Sequence, residues 1–100
     1  MGVTVADIFL VLFSKSAEKD LKNIPRHCVN KLQLWTLEVT KKGVREVRKM
    51  PGFHDEPLRG KRKGQRSIRL NDNFRAIYVE KFDGRIEFIQ IEEVGKHDNY

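Results

Sequence analysis

The sequence predicts an α+β fold, in which two helices pack on one face of a small antiparallel sheet. The short apolar run Ile8–Phe13 is bounded by polar residues, which is typical of a buried strand. Helical patterns follow it, over about residues 15–23 and 25–42. Three strand-like segments come next, at about residues 65–70, 74–82 and 86–94. This order favours helices and antiparallel strands that share one core.

The first helix is expected to run from about Lys15 to Asn23. Ser14 and Ser16 carry hydroxyl groups that can cap its N-terminus. Pro25 ends it, because proline cannot continue a helix but is tolerated in the first turn of the next one.

The second helix is expected to run to about Lys42 and to end at Gly43, a usual C-terminal cap. Its apolar positions recur at helical spacing and form one stripe, at Cys28, Leu32, Trp35 and Val39. Trp35 could stack on a ligand or a base, but a place on such a stripe favours a core position.

The turns divide the rest of the chain. After a short helical turn over about residues 44–50, Pro51–Gly52 breaks the chain and a polar loop follows over 53–64. Asn71–Asn73 joins the predicted strands at about 65–70 and 74–82. Asp83–Gly84 forms a hairpin turn between the second of these and the strand at about 86–94. The N-terminal strand is expected to join the sheet beside one of the later strands, with the helices covering one face.

Length and composition favour a single domain over residues 1–100, with a net charge of +6 and a pI of about 9.7. That charge favours an anionic partner: nucleic acid, a membrane surface or an acidic protein. The only cysteine, Cys28, excludes an internal disulfide framework and fits a reducing cytoplasm. The run Ile8–Phe13 is too short to cross a bilayer, and no basic segment precedes it, so we expect a cytoplasmic protein.

Positive charge is concentrated in one stretch, Leu58–Leu70, which reads LRGKRKGQRSIRL and contains six Arg or Lys residues and no acid. Seven cations and one acid lie between Arg59 and Arg75, whereas residues 79–100 contain six acids and three cations. A surface that serves solubility more often mixes the two signs. Two interpretations remain open for this stretch, a solvated surface and a phosphate-binding one.

Four segments of the chain resemble the RelE/ParE superfamily of bacterial toxins. They are FSKSAEKDLKNIP after the first strand, HDEPLRGKRKGQRSIRL, NDNFRAIY and the C-terminal VGKHDNY. GQRSIRLNDNFRAIY is most similar to the HigB-type branch, EPLR to the YoeB-type branch, and VGKHDNY to the end of the RelE-type strand. The segments occur in the order and on the elements that the superfamily has.

The resemblance implies a small curved antiparallel sheet with two helices on one side. It also implies a toxin of a type II toxin–antitoxin pair, which cuts messenger RNA in the ribosomal A site and is neutralised by a separate antitoxin protein. ParE-type relatives share the fold but inhibit DNA gyrase without cleaving anything. A relative that has lost activity and only binds RNA is a third possibility. Because one fold supports several functions, the site residues must decide.

Cleavage of RNA without a metal needs a base for the 2′-hydroxyl, cations for the transition-state phosphate and an acid for the leaving oxygen. Arg75 matches the arginine that binds the scissile phosphate in RelE- and YoeB-type toxins; the alternative is a salt bridge with a neighbouring carboxylate such as Glu87. Arg69 matches a catalytic Lys or Arg of the preceding strand. Ser67 stands where RelE-type toxins have a further Lys. Arg66 is expected to face away from Arg69, because successive strand residues alternate between faces.

Glu56 matches the proposed general base of YoeB-type toxins, and the alternative is a solvated loop acid. His54 lies in a loop where some HigB-type toxins use a His. His97 matches an Arg of RelE-type and a His of YoeB-type toxins, and imidazole can serve as acid or base near neutral pH. Tyr100 corresponds loosely to a functional Tyr that lies farther along in RelE-type toxins.

The cations of the loop before the predicted strand at about residues 65–70 match no catalytic position. We expect them to bind RNA phosphates, with a mobile solvated loop as the alternative. They are Arg59, Lys61, Arg62 and Lys63. The sequence shows no metal-ligand spacing and no nucleotide-binding glycine pattern, so we expect no cofactor.

Overall fold

The computed structural model of the protein describes residues 7–99. Tyr100, one of the candidate site residues, lies outside this range. Within this range the chain forms three α-helices, α1 to α3, five strands, β1 to β5, and three short 3₁₀ turns. In chain order the helices and strands are β1 Val11–Phe13, α1 Lys15–Leu21, α2 Arg26–Lys42, α3 Val44–Val47, β2 Glu56–Pro57, β3 Arg66–Arg69, β4 Phe74–Asp83 and β5 Ile86–Lys96.

The strands form one sheet in the order β1-β5-β4-β3-β2. Strands β3, β4 and β5 pair antiparallel in sequence order, as expected, and β2 adds a further antiparallel pair at the edge of β3. The N-terminal strand joins β5, also as expected, but it runs parallel to β5, so the sheet is mixed. A parallel pair needs a long crossover between its strands, and here the helices and the rest of the sheet supply it.

The helices cover one face of the sheet, which confirms the α+β arrangement. The predicted stripe of α2 is fully buried, and the Trp35 and Tyr78 rings lie 5.1 Å apart between centroids. Ala17 of α1 is buried in the same core. Trp35 is therefore a core residue and does not face a ligand. We call this side of the sheet the helix face.

The helix ends follow the capping residues of the sequence. The Ser14 hydroxyl accepts a hydrogen bond from the Ala17 N–H at 3.0 Å, which caps α1. Gly43 ends α2 with a φ of 90°, a conformation that favours glycine. Helix α1 is shorter than expected. It ends at Leu21 instead of Asn23, and a turn connects it to Pro25.

The strand register sorts side chains between the two faces. Ile68 and Leu70 lie in the core on the helix face, so the alternating residues Ser67 and Arg69 lie on the opposite, open face. The predicted polar loop over 53–64 contains a strand that the sequence pattern does not reveal. This is β2, which adds two residues to the sheet edge beside β3.

Candidate active site

Five of the candidate site residues line one cleft on the open face of the sheet. The cleft has a volume of about 270 Å³, and its other lining residues are Leu58 and Ser67. It is smaller than the roughly 300–1,000 Å³ of a typical small-molecule pocket, which suits a single group such as a phosphodiester. The five candidates come from β2, β3, β4 and the two segments that flank this part of the sheet: His54, Glu56, Arg69, Arg75 and His97.

Two arginines lie side by side in this cleft. Arg69 of β3 is directly opposite Arg75 of β4, and opposed residues project to the same face. The Nε atom of Arg69 is buried and has no hydrogen-bond partner among the described residues. A buried donor without a partner costs about 1–3 kcal/mol, and like charges opposite each other destabilise a sheet. An anion bound between the two side chains would relieve both costs.

Arg75 is held by the turn that precedes its strand. Its Nη1 atom donates to the carbonyl oxygens of Asn71, at 2.7 Å, and Phe74, at 3.1 Å. The Asn71 side-chain oxygen accepts the N–H groups of Asn73 and Phe74, both at 2.8 Å, and so shapes the turn. Burial, and next the positive charge of Arg69, lower the pKa of Arg75 below its usual value.

The alternative role of Arg75, a salt bridge with Glu87, is wrong. Glu87 lies toward the far end of the β4–β5 hairpin, where it is opposite Phe82. None of the ion pairs within residues 7–99 includes Arg75. Its Nε and Nη2 atoms donate to no other described residue, so they are available to a ligand.

His54 and Glu56 reach the cleft from the segment before β3. Glu56 lies in β2 directly opposite Ser67, and its side chain is exposed. His54 has a left-handed backbone, with φ 45° and ψ 53°, which is uncommon for a residue other than glycine. Both side chains are therefore open to solvent at the rim of the cleft, where a substrate could reach them.

His97 closes the cleft at the end of β5. Its N–H donates to the Asn73 carbonyl oxygen at 2.7 Å, which joins the end of β5 to the turn before β4. The ring is exposed and lies near both Arg69 and Arg75, in the lining of the same cleft. An exposed imidazole beside two cations can exchange protons with a bound group.

One of the four cations in the loop over residues 59–63 contacts the sheet. Arg62 forms an ion pair with Glu93 of β5, with Nη2 and Oε1 at 3.0 Å, and its Nη1 donates to the Gln65 side chain. Glu93 lies opposite Ile77 in the β4–β5 register, so this contact fastens the loop to the open face. The remaining loop cations are exposed: Arg59, Lys61 and Lys63.

Arg66 faces away from the cleft, as strand alternation predicts. Its Nε atom donates to Oδ1 of Asp55 at 2.6 Å, and it lines a separate groove with Arg48 and Glu80. Asp55, whose side chain is fully buried, is not among the residues that the sequence pattern singled out. A signal for it existed, because an arginine at a core-facing strand position needs a buried carboxylate as its partner.

The described residues offer neither a metal-binding cluster nor a membrane-spanning helix. Residues 7–99 contain no group of three or more His, Cys, Asp or Glu side chains that could hold a metal ion. Over the same residues, no helix combines the length and the apolar character that crossing a membrane requires.

The fold matches those of solved bacterial toxins. YafQ from E. coli strain BL21(DE3) has a TM-score of 0.67 and 20% identity, over 89% of this chain and 93% of that one. A copper-bound mutant toxin from Helicobacter pylori has a TM-score of 0.62 and 23% identity, over 92% and 98%. The E. coli DinJ–YafQ toxin–antitoxin complex has a TM-score of 0.63 and 23% identity, over 92% and 97%.

At these identities the likeness concerns the fold. The chain has the fold of RelE/ParE-like toxins, which confirms the structural expectation drawn from its sequence. No family model matches the sequence, and no curated protein matches it either. The chemistry must therefore be argued from the cleft itself.

Proposed function

We propose that the protein is the toxin of a bacterial type II toxin–antitoxin system and an endoribonuclease that cuts messenger RNA on the ribosome. The observation that carries the proposal is the pair Arg69 and Arg75, which lie opposite each other with donors that no described residue uses. Such a pair favours a dianionic or phosphorane-like group, because guanidinium groups bind phosphate oxygens in a planar, bidentate manner.

The cleft also contains groups that can move protons. The 2′-hydroxyl of the nucleotide before the scissile bond attacks the phosphorus and loses its proton to a base. The bond to the 5′-oxygen breaks, and this oxygen takes a proton from an acid. Glu56, His54 and His97 border the two arginines and can supply the base and the acid. The arginines stabilise the charge that develops on the phosphate oxygens.

Two departures from the RelE-type pattern bear on this chemistry. Ser67 is nearly buried on the floor of the cleft, where RelE-type toxins have a Lys, so the catalytic cations of this protein are the two arginines. The second departure is Tyr100, because the functional Tyr of RelE-type toxins lies farther along the chain. Tyr100 remains a candidate that the sequence alone suggests. Exposed loop cations would bind phosphates of ribosomal or messenger RNA, with an affinity that falls as salt rises.

The partner that fits this class is an antitoxin protein encoded separately. One of the similar structures is a complex of the toxin YafQ with DinJ, which supports such a partner here. The whole chain would then act as one cytoplasmic toxin domain that is inactive while bound and cuts messages once released. Acidic antitoxin segments would complement the net charge of +6.

The experiment is translation of a reporter message in a bacterial cell-free system, with primer extension to map cuts. Wild type is expected to cut the message only when ribosomes translate it. Arg75→Ala and Arg69→Ala are expected to lose about 10²-fold or more of the cleavage rate. Arg85→Ala is the matched control, because it removes one positive charge at the exposed hairpin turn. No cutting by wild type, or equal cutting by Arg75→Ala, would refute the proposal.

A ParE-like gyrase inhibitor is the competing outcome of this test. Such a protein needs no proton-transfer groups beside its cations, so Glu56 and His97 would then be replaceable. Inhibition of gyrase supercoiling by wild type, together with intact messages, would assign the protein to that class.

A further inference from the structure

Asp55 lies between the two residues that reach the cleft from the same segment, yet its own side chain is fully buried. Its Oδ1 atom accepts from Arg66 Nε at 2.6 Å, and its Oδ2 atom accepts from the Tyr78 hydroxyl at 2.6 Å. Both partners belong to the helix face, whereas His54 and Glu56 border the cleft on the open face. Asp55 thus joins the rim of the cleft to the other side of the sheet.

The partners of Asp55 are themselves held. Arg48 Nε donates to the Tyr78 hydroxyl at 3.0 Å, and Arg48 Nη2 forms an ion pair with Glu80 at 2.5 Å. Tyr78 is fully buried against Trp35. Burial, and next the charge of Asp55, raise the pKa of the Tyr78 hydroxyl well above its usual value, so it stays a donor. The carboxylate is therefore gripped by a rigid set of groups.

Buried Phe53 anchors the N-terminal side of the segment that carries His54 and Glu56, and pairing with β3 holds its C-terminal side. The strand that contains Glu56 is only two residues long. The left-handed backbone at His54 is unfavourable for a residue with a side chain, and such conformations persist only where the surroundings impose them. Asp55 adds a restraint directly between His54 and Glu56, because its buried carboxylate accepts two hydrogen bonds of 2.6 Å.

We infer that Asp55 is a positioning residue, which fixes His54 and Glu56 at the rim of the cleft through its bonds to Arg66 and Tyr78 on the helix face. The expected effect of Asp55 on catalysis rests on the proposed function. Its effect on the conformation of His54 and β2 does not depend on that function. The inference assigns Asp55 and Tyr78 a role that requires no contact with RNA.

The first test measures the conformation and needs no activity. In NMR spectra of the full chain, the HN–Hα coupling and Cα shift of His54 report its left-handed backbone, and amide exchange reports the β2–β3 pairing. Asp55→Asn, which keeps the size of the side chain, is expected to lose the left-handed signature and to exchange faster at β2. Tyr78→Phe, which keeps the Arg66 bond, is expected to change in the same direction by less. Glu80→Gln is the control, because it breaks only the outermost ion pair of this set.

The second test measures cleavage, with kcat separated from KM. Displaced catalytic groups lower the rate of the chemical step, by about 10-fold to 10²-fold for a shift near 1 Å. Asp55→Asn is expected to lose kcat by that factor at a temperature where it is fully folded, with KM changed less than threefold and Glu80→Gln unchanged.

The outcomes of the two tests separate the inference from the proposed function. If wild type cuts no message, the proposed function fails while the NMR comparison still decides the role of Asp55. If the His54 signature and β2 exchange are the same in Asp55→Asn and wild type, the inference is overturned, whatever happens to kcat. If Asp55→Asn does not fold, Tyr78→Phe decides in its place by the same signature.

Discussion

Arg66 and Arg69 lie three residues apart on the same short strand, and their surroundings differ completely. Arg66 turns to the helix face, where its guanidinium is bonded to the buried carboxylate of Asp55. Arg69 turns to the open face, where its neighbour is another cation, Arg75, and its Nε atom is buried without a partner. The fold supplies a hydrogen-bond partner for the guanidinium of Arg66 but none for the Nε atom of Arg69.

The presence or absence of a buried partner separates a structural cation from a functional one in this basic stretch. A paired, partly buried cation offsets a carboxylate that the fold has already taken out of water. An unpaired buried donor next to a like charge destabilises the fold, and such arrangements concentrate where a ligand supplies the missing charge. Counting positive charges along Leu58–Leu70 cannot make this distinction, because both kinds occur in the same stretch.

The largest expected effect comes from removing the paired arginine. Arg66→Ala leaves the buried Asp55 carboxylate without its ion partner, which is expected to lower the free energy of unfolding by about 3 kcal/mol. Urea unfolding followed by circular dichroism measures it. Arg69→Ala is the matched control on the same strand, and its free energy of unfolding should not fall, because it removes an unpartnered donor and leaves no buried charge behind. Equal losses in the two variants would contradict the contrast.

The second effect concerns activity, for which the arginine on the open face matters more than the arginine on the helix face. Arg69→Ala is expected to lower ribosome-dependent cleavage by about 10²-fold, which is roughly 2.7 kcal/mol of transition-state stabilisation. The measurement is the rate of primer-extension products under single-turnover conditions. Arg85→Ala should cut at the wild-type rate, and a loss in that variant as large as in Arg69→Ala would mean that overall charge, and not the cleft, is responsible.

A smaller effect tests the cleft without any RNA. Inorganic phosphate that binds between Arg69 and Arg75 should stabilise the folded state, by about 1.4 kcal/mol at ten times its dissociation constant. Thermal unfolding in phosphate and in chloride at matched ionic strength measures this. The stabilisation should disappear in Arg75→Ala and persist in Arg85→Ala. Phosphate protection that survives in Arg75→Ala would show that the anion binds elsewhere.

The smallest effect is a gain in stability. Arg69→Met keeps much of the side-chain length but removes the unpartnered donor and the charge opposite Arg75. It is expected to raise the free energy of unfolding by about 1 kcal/mol, since replacing an unsatisfied buried polar group removes its desolvation cost. Urea unfolding of the variant beside wild type is the measurement. A loss of stability would indicate that Arg69 contributes packing that outweighs this cost.

Sequence periodicity predicted the parts of the fold that depend on local geometry. The buried stripe of α2, its end at Gly43 and the hairpin turn at Asp83–Gly84 lie where the pattern indicated. Strand alternation also predicted that Arg66 and Arg69 lie on opposite faces of the sheet, and they do. Five of the candidate site residues line one cleft, although their catalytic roles stay predictions.

Other features depend on partners that are distant in sequence, and no local pattern revealed them. Strand β1 runs parallel to β5, and the two-residue β2 exists only because β3 offers an edge for it. The ion pair of Arg62 with Glu93 fastens a loop that the sequence suggested could be mobile.

Local sequence patterns specify the helix and strand periods, the caps and the alternation of β3, because each follows from the geometry of a few neighbouring residues. Only the tertiary structure decided which side chains meet. It brought Asp55 to Arg66 and to Tyr78, which lie 11 and 23 residues further along the chain, and it left Arg69 without a partner. The physical reason is that burial and strand pairing, which set the value of each charge, are properties of contacts between distant segments.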